Sequence, residues 1–180
     1  MADYEHLTHT FQPVFNQDSK ILILGTFPSA ASRAQHFYYG HPQNRFWKVL
    51  AALTGENVPE GIPEKKRLLL DHKIAIWDVI QSCDIIGSSD SSIRNVVPSD
   101  IHKILTQAKI SAIFGNGAKA CKLFESYALP ALKEKADSGK EPAWTPKDPI
   151  HKLPSTSPAN AAWSLERLMK AWHEEICPFL

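Results

Sequence analysis

Short apolar runs alternate with amphipathic stretches along most of the chain. Lys20–Leu24 is a continuous β-rich run, the pattern of a strand covered on both faces. Ile74–Trp77, Ile110–Phe114 and Ile150–Leu153 predict three more strands. Between them, Phe46, Val49, Leu50 and Leu53 recur at helical spacing, and Gly55 stands where a helix stop belongs. A second helix is predicted over Glu64–Asp71, with Pro63 suited to its first turn. Ile101, Ile104, Leu105 and Ala108 mark a third. Gly115-Asn116-Gly117 reads as a tight turn into a fourth, running to about Tyr127. Leu165, Leu168, Met169, Trp172 and Ile176 form the apolar face of a last helix. Strand alternating with helix predicts an α/β fold: a three-layer α/β/α sandwich around a parallel sheet of mainly four strands. Ligand sites in such folds lie at the carboxyl ends of the strands. The loops after Leu24, Trp77, Phe114 and Leu153 collect there.

The remaining segments read as connections. Residues 1–19 are a polar lead-in with a small apolar cluster of Phe11, Val14 and Phe15, residues 82–99 a long irregular stretch rich in Ser and Asp, and residues 137–149 a linker-like surface loop. No internal repeat or composition break divides the chain, so residues 1–180 are expected to form one domain.

Composition narrows the function classes. With 43% apolar and 22% charged residues in 180, the chain has the make-up of an ordinary globule with a real core. No run approaches the roughly 18 apolar residues of a membrane span, and the acidic start lacks a signal peptide's regions. The expectation is a cytoplasmic protein, nucleoid-associated when acting, with no membrane partner. Cys83, Cys121 and Cys177 are unevenly spaced and form no C-x-x-C pair, which argues against a disulfide framework and a zinc site. An iron–sulfur cluster would need about four cysteine ligands. The eight His are scattered, and the i, i+3 pair His6 and His9 lacks nearby Cys or carboxylate support, so no metal is expected. A net charge of +1 is neutral on DNA binding, because only basic groups gathered on one face would attract phosphates.

The most informative segment is Gly25 to Trp47, GTFPSAASRAQHFYYGHPQNRFW. A strand end, a polar loop, the rings Phe37, Tyr38 and Tyr39, and a helix start at Asn44-Arg45-Phe46-Trp47 make a plausible bed for a flat polar ligand. This segment resembles the first motif of the uracil-DNA glycosylase superfamily, whose mismatch-specific branch reads Gly-x-Asn-Pro-Gly and then Asn-Arg-Phe-Trp at the same spacing. Leu153-Pro154-Ser155-Thr156-Ser157-Pro158-Ala159-Asn160-Ala161 resembles the second motif, a Pro-Ser-rich loop that presses on DNA. The wording of both is most similar to the hypoxanthine-DNA (deoxyinosine) glycosylase branch, family six, over about Phe11 to the final helix. The resemblance implies the same three-layer fold.

Each candidate residue also has a structural reading. Asn44 suits a helix N-cap; the resemblance makes it the catalytic candidate beside the reacting sugar, and the two roles can coexist. Phe27 departs from the family pattern, since the mismatch-specific relatives carry a water-activating Asn there. It is either a core aromatic or the ring that stacks on an extruded base, and the departure puts classical uracil excision in doubt. Asp78, at a strand end, either caps a turn or reads the base edge, as an Asn does in several branches. Tyr38 and Asn116 are structural or loosely pocket-lining, while Tyr39 and His41 carry no assignment. Ser155, Thr156, Ser157, Pro158 and Asn160 form an ordinary polar turn or, by the resemblance, contact DNA. No G-x-S-x-G elbow surrounds the serines, and GTFPSAAS is neither a G-x-G-x-x-G nor a Walker loop.

The expected function is a monofunctional, cofactor-free DNA glycosylase acting on double-stranded DNA that contains a deaminated base, hypoxanthine first, in base excision repair, and monomeric. A non-catalytic nucleotide- or nucleic-acid-binding α/β module, a glycosylase acting mainly on uracil mismatches, and a small flavodoxin-like cofactor protein are the rivals.

Overall fold

A computed structural model describes residues 3–136 and 144–180. Its centre is a four-stranded, all-parallel sheet of β2 (Ile21–Gly25), β3 (Ile74–Asp78), β6 (Ala112–Asn116) and β7 (Ile150–Leu153), in the order β3-β2-β6-β7. All five residues of β2 and of β3 are buried, the burial on both faces that their unbroken apolar runs predict. The predicted third strand begins two residues later than its apolar run and ends on Asn116, so that residue belongs to the strand end itself.

The strand order places the helices. The connection from β2 to β3 carries α1 (Ala30–Gln35), α2 (Phe46–Thr54) and α3 (Ile62–Asp71). The connections from β3 to β6 and from β6 to β7 carry α4 (Ile101–Gln107), α5 (Ala118–Leu123) and α6 (Leu129–Ala136), and they step across the sheet in the opposite direction. Parallel crossovers are right-handed, so opposite steps put the two groups of helices on opposite faces. The final helix α7 (Leu165–Ile176) packs against α2, and α4 packs against α6. The result is a three-layer α/β/α sandwich. No helix among the described residues is long and apolar enough to cross a membrane.

Two expectations are corrected. The lead-in is not merely a polar prelude, because β1 (Glu5–Thr8) is a strand and Val14 bridges to Ile76 at the sheet edge. Nor is 82–99 irregular: β4 (Ile80–Ile85) and β5 (Arg94–Pro98) join β1 in an antiparallel three-stranded sheet, β1-β4-β5. Ser and Asp weaken the strand signal there, and the ladder from a segment more than seventy residues away supplies the pairing. Only Val79 separates β3 from β4.

The helix after Gly117 also outruns its predicted end. Pro130 has no N–H to give to the carbonyl of Ser126, and the chain passes that point as a wide π turn over Phe124–Ala128 before α6. Of the predicted 137–149 surface loop, residues 137–143 lie outside the described residues. Of the rest, Trp144 is anchored, 1% exposed and edge-on to Phe124, while Lys147, Asp148 and Pro149 lie on the surface as expected.

Candidate active site

β2 leaves toward one edge of the sheet and β6 toward the other, so their carboxyl ends flank a topological switch point. A cleft of about 340 Å³ opens there, within the range of small-molecule sites. Its lining takes residues from the ends of β2, β3 and β6, from the β4–β5 loop and from the loop after β7. All three strand-end residues, Gly25, Asp78 and Asn116, face it. Gly25 pairs in register with Asp78, and a Cβ at position 25 would stand 2.4 Å from Asp78 Oδ1 and 3.0 Å from Tyr39 Oη. Only glycine lets those polar groups crowd the strand end.

Asp78 is 5% exposed, and its Oδ2 is held by His9 Nε2 at 2.8 Å. The His9 ring is buried behind the aromatic wall of the cleft, against Phe11, Tyr38 and Phe27. A buried carboxylate needs such a partner, and sequence reasoning missed it because the two residues lie 69 positions apart. Phe27, 8% exposed, lines the cleft. Tyr38 lines it too, but its hydroxyl donates to the Gln12 carbonyl (2.9 Å), and its polar end is therefore already occupied.

Tyr39, unassigned from sequence, lies in the left-handed region at φ 52° and stacks on Phe46 (3.8 Å between centroids). Its buried Oη meets the Asn116 amide only outside good hydrogen-bond geometry. Burial first, then the charge of Asp78, push the phenol far above its ordinary range, against a small pull from Asn116.

Also in the cleft lining, the two motif loops are tied by an ordered chain of hydrogen bonds. Asn116 Nδ2 donates to Thr156 Oγ1 (2.9 Å), and Asn116 Oδ1 accepts from the Thr156 N–H (3.0 Å). Thr156 Oγ1 donates in turn to Asn44 Oδ1 (2.9 Å), which also accepts the Phe46 N–H (2.9 Å). The N-cap position of α2 falls on Arg45, not on Asn44 as its structural reading expects: Asn44 stands one residue earlier, takes the first helical N–H in an i, i+2 side-chain turn, and is half-buried in the cleft wall. Both lone-pair directions of its oxygen are taken, and what it retains is the two N–H donors of Nδ2.

Arg45 fastens the same junction. Its backbone N–H and Nε donate to the Thr156 carbonyl (3.1 and 3.4 Å), Nη2 to the Ser157 and Asn160 carbonyls (2.8 and 3.1 Å), and Nη1 to the Trp163 carbonyl. Its role in the Asn-Arg-Phe-Trp block is to fix the second loop on the first.

These contacts correct two of the expected DNA contacts. Thr156 is fully buried with its hydroxyl engaged on both sides, so its side chain does not reach outward to a phosphate. Asn160 turns its amide back onto the Ser155 carbonyl (3.0 Å) and braces the loop from within. Ser155 and Ser157 use their oxygens to accept backbone N–H groups of Ser157 and Ala159, which leaves their hydroxyl protons free to donate, and Pro158 is exposed. Gly117, at φ 95°, lets this loop pass close: a Cβ there would stand 3.1 Å from Ser155 Cβ.

A second carboxylate, also missed, enters from the β4–β5 loop. Asp90 opens onto the cleft, and the Thr26 hydroxyl sits 3.4 Å from each of its oxygens. Asp90 keeps an exposed side, but partial desolvation by the surrounding residues, more than the Thr26 hydroxyl and Lys119 can offset, pushes its carboxyl above the usual range, and Asp78 adds to the rise. Among the described residues, no group of three or more His, Cys, Asp or Glu could hold a metal ion.

The family model of the uracil DNA glycosylase superfamily matches residues 12–176. The chain belongs to that superfamily. Among its relatives, the hypoxanthine DNA glycosylase of Methanosarcina acetivorans is 37% identical over 112 residues, 61% of this chain and 71% of the relative. The hypoxanthine DNA glycosylase of Methanosarcina barkeri strain Fusaro is 39% identical over 87 residues. That match spans 47% of this chain and about half, 54%, of the relative. A solution NMR structure from Methanosarcina acetivorans, described as a candidate uracil DNA glycosylase, superposes with a TM-score of 0.67 at 28% identity. It covers 91% of this chain and 95% of its own. As a superfamily member, the chain has both motif loops in one cleft, held by Arg45 and the Asn116–Thr156–Asn44 chain.

Proposed function

We propose that this chain is a monofunctional DNA glycosylase that extrudes a deaminated base from double-stranded DNA and hydrolyses its N-glycosidic bond, with hypoxanthine as the first substrate. It would act in base excision repair as a monomer. The observation that carries the reading is that Asn44 and Asp78 line one cleft together with the rings of Phe27, Tyr38 and Tyr39. Membership of the superfamily and the hypoxanthine glycosylase names of the two relatives support it.

The chemistry follows from the geometry. A base must leave the stack to reach such a cleft, at a cost of a few kcal/mol that is smallest for a mispaired base. Phe27 offers a ring face to stack on it. Asp78 Oδ1, beside Gly25, accepts the N1–H that hypoxanthine presents next to its O6, whereas the bare N1 of adenine would face a carboxylate. Bond cleavage leaves oxocarbenium-like charge on the sugar, and Asn44 Nδ2 holds the attacking water by its oxygen. Ser155, Ser157 and Pro158 would lie along the strand, where hydroxyl donors suit phosphates.

The test is a single-turnover assay on an inosine-containing duplex with EDTA present, alongside duplexes carrying uracil and other deaminated bases. Free hypoxanthine is expected, and Asn44→Ala should slow its release by about 10²-fold while DNA affinity holds. A binding module would release no base from any duplex. An Asn44→Ala protein that cleaves normally but melts earlier would reduce Asn44 to a support of the helix start. Uracil, which also carries an imide N–H beside a carbonyl, is the second reading, and release of uracil in preference to hypoxanthine would favour it.

A further inference from the structure

Hydrolysis needs a water that is both held and relieved of a proton. Asn44 can do only the first, because Phe46 N–H and Thr156 O–H fill its oxygen and leave Nδ2 as a donor. Phe27 can do neither. A proton acceptor on the cleft wall would supply what these two residues lack.

Most of the other candidates are excluded by their own contacts. Asp78 has one oxygen taken by His9, and in the function proposed above its other oxygen is given to the base. His41 Nδ1 accepts the Gln43 N–H (3.1 Å), so the neutral ring carries its proton on Nε2 and can only donate toward the cleft. Tyr38 donates to Gln12, and Tyr39 Oη is closed off from solvent. The cleft's serine and threonine hydroxyls are too weakly basic. Asp90 remains. One Thr26 hydroxyl has a single proton to give, so the carboxylate keeps acceptor capacity facing the open cleft.

We propose that Asp90 is the general base of the reaction, the group that takes the proton from the water that Asn44 holds. This rests on the glycosylase reading above. As the bond between C1′ and the purine N9 breaks, its electron pair leaves with the base. The water oxygen bonds to C1′ and one of its protons passes to the Asp90 carboxylate, while the other stays as the new sugar hydroxyl. Asp90 returns its proton to solvent and the purine anion takes one up, so the sum is hydrolysis with no net proton. Thr26 orients the carboxylate, and the groups that face it are Thr26, Lys119 and Asp78. Its elevated carboxyl range brings its basicity closer to neutral working pH, where a general base is most effective.

The pH dependence has a definite sign. Asp90 must be ionised, so the wild-type single-turnover rate falls as pH drops through its elevated range. Asp90→Asn should lower the plateau rate by about 10²–10⁴-fold and flatten that acid limb, with DNA affinity equal to or above wild type because a negative charge is gone. Asp90→Gly should regain activity when formate is added. If Asp90→Asn fails to fold, Asp90→Glu decides, and an acid limb that keeps both its position and its rate in that variant overturns the assignment. So does an Asp90→Asn protein with wild-type rate and pH profile. A wild-type protein that releases no base from any duplex overturns instead the glycosylase reading on which the assignment stands.

Discussion

At the scale of single residues, the cleft is built from polar groups whose partners decide what they can still do. Asp78 is the clearest case. His9 holds one of its oxygens and leaves the other beside Gly25. Asp78→Asn keeps the shape but replaces an acceptor by a group that can also donate. The expected result is a drop of roughly 10- to 100-fold in the preference for inosine over adenosine, the scale of one hydrogen bond to a charged group. Competitive single-turnover cleavage of the two duplexes measures it, and an unchanged ratio would take Asp78 out of base recognition. The place of Asp78 at a strand end was legible from the apolar run that precedes it. Its partner was not, since nothing in the His6 and His9 pair near the start of the chain announces a carboxylate 69 positions from His9.

At the scale of elements, the helix start at Asn44-Arg45 and the loop after β7 act as one unit. The motifs were visible as words in the sequence, but the part each letter plays depends on the junction. Thr156 is the internal link rather than a DNA contact, and Arg45 donates to four main-chain carbonyls across it. Removing the guanidinium takes away all of these side-chain bonds, and the Thr156, Ser157 and Asn160 carbonyls are left with only the main-chain N–H groups of Arg45, Asn160 and Trp163. Arg45→Gln should therefore cost about 2–3 kcal/mol in urea unfolding and slow base release about 10-fold or more, because Asn44 loses the loop that orients it. If stability falls while the single-turnover rate stays at wild type, the clamp serves the fold and not the site.

At the scale of the whole molecule, the small antiparallel sheet makes the lead-in part of the body that forms the cleft. β1 pairs with β4, and the same segment delivers His9 to Asp78. Beginning the chain at Val14 would remove the strand, Phe11 and the histidine together. A buried carboxylate stripped of its partner is strongly destabilising, by about 3–5 kcal/mol where it has been measured, and the urea midpoint should fall accordingly. An unchanged midpoint would make the lead-in an appendage and the His9–Asp78 pair dispensable. Asp90 arrives by the same route, on the loop that joins β4 to β5, so a stretch that reads as irregular delivers a carboxylate to the cleft.

What the sequence determined by itself is whatever is written in local periodicity: the buried strands β2 and β3, the amphipathic helices, the position of the cleft at the carboxyl ends of the strands, and the two motif loops beside it. Hydrophobic burial is close to additive along a chain, so a run of apolar residues announces a buried strand without knowing its neighbours. Hydrogen bonds between side chains distant in sequence are not additive in this way, because each depends on which donor meets which acceptor. Only the tertiary structure could therefore pair His9 with Asp78, turn Thr156 inward, fill the oxygen of Asn44 and bring Asp90 to the open side of the cleft.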